Sequence, residues 1–511
     1  MNARQFTPSR YQATFFNWVQ TGAGNAILQA LAGSGKSTTI VRAMSLIPSS
    51  QRVLFLAFNK AIADELQNRA PAHAECRTFN ALGAWMLLRL IGRSTIDAKK
   101  LEHLAGDLFT HDDRMELGQD AVKLARLAKA YAFSPVATAA NDWPMLIDRF
   151  GMTALGNDRL RLIEMAGELL TASHRETGVI DFDDQIYVPV MAGAPAPVAY
   201  DWIMVDEAQD VSPIQRKLLQ RIMGPRTRLV AVGDQHQAIY GFRGSDSNSM
   251  LRIKDEFTCA EMPLSICYRC PTKVIAEAKR LVPAIEAAAT APAGDVRTLD
   301  WYTPSDLNEA TDLIICRNTQ PLITLAYRCI REGVNVRVLG REIGKGLINI
   351  IRRQAGRSIT RLRGQAGFVV KLQAWSDREI ENLRAEDQQD KADAVRDRVQ
   401  TILTVVEATD CDSVDALIRA IDDLFSRSEG VTFCTIHKSK GLEARRVFIL
   451  DRHLLPAKSA RQDWQIEQER NLEYVAITRA QHQLIYIESN PVPPALSKDA
   501  TTAARAQEEA A

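Results

Sequence analysis

Residues 25–44 read NAILQALAGSGKSTTIVRAM, and no other stretch constrains the fold as strongly. Asn25–Gln29 is strand-like, the loop that follows is rich in small residues, and Ser37–Met44 has helical character. A strand that turns through a glycine loop directly into a helix belongs to a wound α/β sheet, with the loop at the strand's carboxyl end. The pattern AxxxxGKS (30–37) is a Walker A loop with Ala30 where the first glycine usually stands. Gly33 and Gly35 let the backbone N–H groups around Ser34 turn inward and cradle phosphate oxygens. Lys36 would place its charge on the β- and γ-phosphates, and the Ser37 hydroxyl would ligate Mg²⁺. The positive end of the following helix, with Thr38 in its first turn, adds to the attraction.

Further apolar runs extend the sheet. VLFLAF (53–58) is bounded by polar residues, as a buried parallel strand is. YDWIMVDE (200–207) and RLVAVGD (228–234) are strand-like and end in acidic residues. A second set starts near residue 266, with DLIICR (312–317), VRVL (336–339), VTFCT (431–435), RVFILD (446–451) and LIYI (484–487). Strands alternating with helical stretches predict an α/β fold with doubly wound parallel sheets. Two mainly helical insertions interrupt them. Between Trp85 and Gly178 the chain is rich in Leu, Ala and charge, at helical spacing. In 346–427, Ser376 and Glu379 stand at capping-box spacing and predict a helix start, and Val395, Val399, Ile402, Leu403 and Val406 recur at helical intervals. The last stretch, 491–511, is small, polar and Pro-bearing and reads as disordered.

At 511 residues the chain has material for about three or four domains. The net charge is only +1, so a nucleic-acid role must rest on local patches and motifs, not on a global basic field. MNARQFTPSRYQ lacks the apolar core of a signal peptide, and no run reaches the ~18 apolar residues of a membrane span. Eight scattered cysteines fit a reducing compartment. Cys267 and Cys270 form a CxxC pair with Cys259 nearby, but zinc needs about four ligands, so these read as buried, inert thiols.

VDEAQD (205–210) matches the acidic partner of such a loop. Asp206 would hold Mg²⁺ and Glu207 would polarise the attacking water. These parts define nucleoside-triphosphate chemistry without saying what it drives. A kinase or a nucleotide-dependent switch would have no use for arginines in a second lobe, so residues 431–480 discriminate that alternative.

The remaining motifs do so. In order along the chain stand AFNKAIADEL (57–66), GDQHQAIYGFRG (233–244), CYRC (267–270), TIHKSKGLE (435–443) and EQERNLEYVAITRA (467–480). Together they resemble the UvrD/Rep/PcrA branch of superfamily 1 helicases over perhaps two-thirds of the chain, and the 57–66 stretch is similar to F-box-type DNA helicases and phage-encoded relatives. The resemblance implies two RecA-like lobes, with ATP and Mg²⁺ as cofactors. It divides the chain into a first lobe (1–85 and 181–265) with a helical insertion at 86–180, closed by VIDFDDQIY (179–187). The second lobe (266–345 and 428–490) carries a shortened insertion at 346–427, and a tail follows at 491–511.

By the same resemblance Gln12 reads adenine, Gln237 senses the γ-phosphate, Tyr268 stacks on the adenine and Arg269 reaches the γ-phosphate. Glu443 meets the ribose or the lobe interface, and Arg479 is the arginine finger. DNA contacts fall on Phe58, Asn59 and Lys60, on Thr78, Phe79 and Asn80, on Tyr240, Phe242 and Arg243, and on Thr435 and His437. Three positions depart from the family pattern: Phe242 where Trp is frequent, Asn80 where His is usual, and Thr38 where several relatives place Arg. The third motif reads GDQHQAIYGFRG, not the GDxxQLPPV of the 5′-to-3′ branch, which implies 3′-to-5′ movement. Implied partners are single-stranded DNA, single/double-strand junctions and a nuclease or replication or repair protein, with no membrane. Work in the cytoplasm, at the nucleoid of a bacterial or phage-infected cell, is implied too. The basic stretch 351–364 (Arg352, Arg353, Arg357, Arg361, Arg363) reads equally as a phosphate-contacting surface or a solvated helix face.

Overall fold

The computed structural model describes residues 6–150, 152, 156–239, 248–300, 302–307, 310–356, 359–364, 366–385 and 388–489. The chain divides into two compact units, residues 1–266 and 267–511.

The first unit is built on six strands: β1 (Asn25–Ala30), β2 (Val53–Ala57), β3 (Ala74–Thr78), β4 (Trp202–Val205), β5 (Arg228–Gly233) and β6 (Cys259–Leu264). They lie in the order β3-β2-β4-β5-β1-β6, and every pairing is parallel. Period-two alternation splits each strand between two cores. Leu54 and Leu56 of β2 face a cluster with Phe79, Leu82 and the helical insertion, while Val53, Phe55 and Ala57 face Phe15, Ile40 and Met44 on the other side. Each such large side chain, fully buried, contributes about 1.5–3 kcal/mol, which fixes the register of the central strands.

The insertion is helical, as expected: Lys100–Leu108, His111–Glu116, Gly118–Ala130, Trp143–Arg149 and Gly156–Arg175. A short parallel ladder, Thr95–Ile96 against Val179–Ile180, closes its base. The boundary expected at 85/86 falls inside a continuous helix, Phe79–Ile91. Beneath the ladder lies a buried charge cluster. Lys100 Nζ donates to Asp184 at 2.8 Å and to the Ser173 and Glu176 carbonyls, and Lys129 Nζ meets Asp181 at 2.6 Å and Asp184 at 2.7 Å. The two aspartates also cap one another's backbone N–H. Two lysines against two aspartates leave the cluster neutral, and together they tie the insertion's helices to the DFDD turn.

The second unit holds β7 (Asp295–Leu299), β8 (Leu313–Cys316), β9 (Val336–Val338), β10 (Val431–Thr435), β11 (Ala444–Leu450) and β12 (Ala480–Ile487). Their order is β7-β12-β11-β8-β10-β9, again all parallel. Between β9 and β10 come four helices, Arg341–Ala355, Phe368–Ala385, Gln389–Ala408 and Val414–Ser426. Leu347, Ile351, Phe368, Ile402, Leu417 and Phe425 from these helices share one apolar cluster with Ile314, Val336 and Phe433 of the strands. The boundary expected at 345/346 lies within the first of the four. One expectation is corrected here. No helix starts at Ser376: the helix begins at Phe368, and Ser376 is buried mid-helix, because Phe368 and Leu372 extend the apolar face upstream of the capping-box pair.

Asp184→Ala leaves Lys100 and Lys129 under-compensated in a buried site, so the first unit should lose about 3–5 kcal/mol of unfolding free energy in a urea titration. Loss of less than about 1 kcal/mol would mean that the cluster is solvated like a surface pair.

Candidate active site

β1, β4 and β5 are neighbours, so the segments leaving their carboxyl ends converge. After β1, Gly33 (φ 67°) and Gly35 (φ 77°) take the left-handed conformation that the loop requires, and Gly35 caps the helix Lys36–Leu46. Ser34 Oγ is buried with no hydrogen-bond partner among the described residues, as suits a donor awaiting a phosphate oxygen. Ser37 and Thr38 are exposed in the helix's first turn. Thr39, unassigned from sequence, donates to the Gly35 carbonyl at 2.9 Å and accepts from Gln12 Nε2 at 2.9 Å. Gln12 Oε1 in turn caps the Ser9 N–H at 3.0 Å. The Gln12 amide is therefore buried and bound at both ends.

After β4, Glu207 stands in the left-handed region (φ 48°), which costs a non-glycine residue about 1–2 kcal/mol. Its N–H donates to Asp206 Oδ1 at 2.9 Å, and its carboxylate pairs with Lys36 Nζ at 2.9 Å. Burial disfavours the Lys36 ammonium, but Glu207, Asp206 and Asp234 outweigh it, and the lysine is held above its ordinary value. Ser37 and Asp206 are the groups that would hold Mg²⁺: a hydroxyl and a carboxylate, both hard oxygen donors, flank the lysine.

Two residues that sequence reasoning missed complete the arrangement. Gln209 Nε2 donates to Glu207 Oε2, and Gln209 Oε1 accepts from the Asp234 N–H at 3.0 Å. Asp234, after β5, takes the Gln237 amide at 2.7 Å and the His236 N–H at 3.1 Å. Burial raises the Asp234 carboxyl, while Gln237, Lys36 and His236 pull it back. Gly233 allows the approach, since a Cβ there would stand 2.4 Å from Gln209 Oε1. A hydrogen-bonded line thus runs from Lys36 through Glu207, Gln209 and Asp234 to Gln237. The strings VDEAQD and GDQHQ held both residues, but their contact is tertiary.

The residues expected to contact DNA are more scattered in fate. Phe58, 49% exposed, with exposed Asn59 and Lys60, leaves the carboxyl end of β2, and Asn59 caps the next helix. Thr78 caps the helix Phe79–Ile91. Phe79 does not face outward: it is 5% exposed and packs in the core, because the first turn of that helix points it at the sheet. Asn80 is half-buried and donates to the Phe182 carbonyl at 2.9 Å and to Gln185 at 3.1 Å. Phe182 itself is 55% exposed, a ring for which the sequence offered only its setting among acids in VIDFDD. A cavity of about 210 Å³ is lined by Phe58, Asn80, Asp183, Asp210, Ser212 and Gln215. Tyr240, Phe242, Arg243 and Arg357 lie outside the described residues, as does the tail from 490 onward.

In the second unit Tyr268 is 51% exposed. Arg269 pairs with Glu443 and donates to the Thr478 carbonyl at 3.2 Å. Glu443, expected at a ribose or at the lobe interface, holds that ion pair. Arg479, expected to project as a finger, is 1% exposed, with its guanidinium on the Val475 carbonyl at 2.9 Å and the Leu442 carbonyl at 3.2 Å. Thr435 and His437 are partly buried where β10 passes into the short helix Ile436–Ser439. Cys267 and Cys270 are buried and carry no disulfide.

Two parallel sheets, a phosphate loop and an acidic strand end facing it define a P-loop nucleotide-binding protein. Residues 13–258 match the UvrD/REP helicase N-terminal domain and residues 341–490 the UvrD-like helicase C-terminal domain. The chain belongs to the UvrD/Rep helicase family. It is 24% identical to F-box DNA helicase protein 1 of Schizosaccharomyces pombe over 501 residues, 90% of this chain and 55% of that protein. To the ATP-dependent DNA helicase UvrD2 of Mycobacterium tuberculosis it is 25% identical over 562 residues, 90% of this chain and 76% of the relative. To the ATP-dependent DNA helicase Rep of Escherichia coli it is 23% identical over 303 residues, 54% and 43% of the two chains. The chain thus spans about half the length of the F-box protein.

Gln209→Ala removes the link between Glu207 and Asp234 without touching the phosphate loop. Nucleotide turnover should fall about tenfold or more, while binding of a fluorescent ATP analogue changes by less than about threefold. Parallel losses in both would make Gln209 merely structural.

Proposed function

We propose that the chain is an ATP-driven motor that moves 3′-to-5′ along single-stranded DNA and separates duplex ahead of it. The observation that carries this is the line of contacts from Lys36 to Gln237, which joins phosphate binding, a general-base candidate and the opening residues of GDQHQAIYGFRG. Family membership supports ATP and DNA as its ligands.

In this reading Lys36 exchanges Glu207 for the β- and γ-phosphates when ATP enters. Glu207, still held by Gln209, is released to polarise the attacking water. Ser37 and Asp206 would hold Mg²⁺, which would supply charge neutralisation at the phosphates. Gln237 reports the state of the γ-phosphate through its bond to Asp234. Arg269 and Arg479 stabilise the transferred phosphoryl group after giving up Glu443 and the backbone carbonyls that hold them, and an arginine in that role is worth about 10³–10⁵ in rate. Phe58, exposed at the end of β2, offers bases a stacking surface without sequence preference. The direction rests on the likeness of GDQHQAIYGFRG to the 3′-to-5′ branch.

The second helical block favours one further reading, a translocase that strips proteins or serves a partner nuclease. Its four helices share a core with the sheet and form a small block.

Strand displacement on duplexes with a 3′ tail, a 5′ tail or no tail, with ATP and Mg²⁺, tests this. Unwinding only from the 3′ tail, lost in Glu207→Gln, is expected. Single-stranded-DNA-stimulated hydrolysis without displacement would support the translocase, and hydrolysis indifferent to DNA would sink both. Phe58→Ala should weaken single-strand binding by about 1–3 kcal/mol in a fluorescence titration, with ATP binding unchanged.

A further inference from the structure

Cys267 and Cys270 serve none of these roles, yet they bracket Tyr268 and Arg269. Both are fully buried and unbridged. The Cys270 N–H donates to Cys267 Sγ at 3.4 Å, and the Cys270 thiol donates to the Thr478 carbonyl at 3.6 Å. That carbonyl is also the acceptor of Arg269 Nη1, and Thr478 immediately precedes Arg479. The thiol pair therefore underlies the segments of both candidate phosphate arginines.

The two sulfurs are chemically unlike. The neighbouring Cys270 thiol, backbone N–H groups and the Arg269 charge hold the Cys267 thiol down at about 7, whereas Cys267 and burial push Cys270 well up against the opposing pull of Arg269 and Arg479. Burial raises Cys76 to about 11 and Cys259, Cys329 and Cys434 to about 12, so these resist ionisation. Two unbridged thiols one turn apart, one held low and one high, are placed to form a disulfide, and because both are buried an oxidant reaches Cys267 only when this turn opens locally.

We propose that Cys267 and Cys270 close a reversible disulfide when a hydroperoxide is present, and that closure slows ATP hydrolysis. The second half rests on the functional reading of Arg269 and Arg479 given above. The Cys267 thiolate attacks a peroxide oxygen, the O–O bond breaks, and the departing hydroxide takes up a proton to become water. Cys267 is left as a sulfenic acid. Cys270 sulfur then attacks Cys267 sulfur, and the S–OH oxygen leaves with the Cys270 proton as the second water. Two thiols and one hydrogen peroxide thus give one disulfide and two waters. The S–S bond, about 2.05 Å long, draws the turn bearing Tyr268 and Arg269 closed. It also carries no hydrogen, so the Thr478 carbonyl next to Arg479 loses its thiol donor.

The full chain, treated with hydrogen peroxide and then alkylated, is read by peptide mass and by DNA-stimulated ATPase. The expected result is loss of two hydrogens from the peptide joining Cys267 to Cys270. A drop in turnover of about tenfold or more should accompany it and be restored by dithiothreitol. Cys267→Ser and Cys270→Ser should each keep their own untreated rate in peroxide. Closure should quicken between about pH 6 and about pH 8, as Cys267 ionises. The proposal is overturned if no disulfide forms, if it forms and turnover is unchanged, or if both serine variants are inactivated equally. A reduced protein without DNA-stimulated ATPase would instead count against the motor reading, and the peptide mass would still decide whether the pair closes.

Discussion

Parallel pairing of three adjacent strands is the constraint on which the site depends. Because β4, β5 and β1 run side by side in one direction, a lysine, two carboxylates and a third carboxylate emerge at the same edge of the sheet. Brought together, these charges satisfy one another: Lys36 takes Glu207, and burial of Asp234 is offset in part by Gln237, Lys36 and His236. An antiparallel neighbour would send one of these groups to the far end of the sheet. The left-handed backbone at Glu207 is a local strain that this surrounding network over-determines.

The same geometry explains what could be read from the sequence. Central strands are buried on both faces, and β2, β4, β5, β8, β10 and β11 were visible as apolar runs. The strands that escaped notice, β3 (AECRT), β6 (CAEMPL) and β7 (DVRTL), each lie at a sheet edge, half exposed, and so carry charge and polarity that mask the pattern. The Ser376 capping-box spacing misled for a related reason: a local signal was overridden by an apolar face that starts eight residues earlier.

At the site, the residues that bear chemistry in one short string were legible, while those whose role is to bridge strings were not. Gln209 and Asp234 matter because β4 and β5 are neighbours, which no spacing records. Phe58 and Phe79 look alike in sequence, yet one ends a strand and is exposed while the other starts an amphipathic helix and is buried. Arg479 shows the limit in the opposite sense. Its position in EQERNLEYVAITRA was clear, but its present hydrogen bonds to backbone carbonyls could come only from coordinates.

The continuity of the apolar cluster in the second unit carries a mechanical consequence. Helices Arg341–Ala355 and Val414–Ser426 are sewn into the same interior as β8, β9 and β10, so this block has no plane along which to hinge as a separate body. Force applied to one of its outer helices passes through Val414–Ser426 and the helix Thr319–Arg331 to the sheet. The block acts as a buttress, with Val414–Ser426 resting on β9 and Gln389–Ala408 on the helix Thr319–Arg331 that covers this face of the sheet.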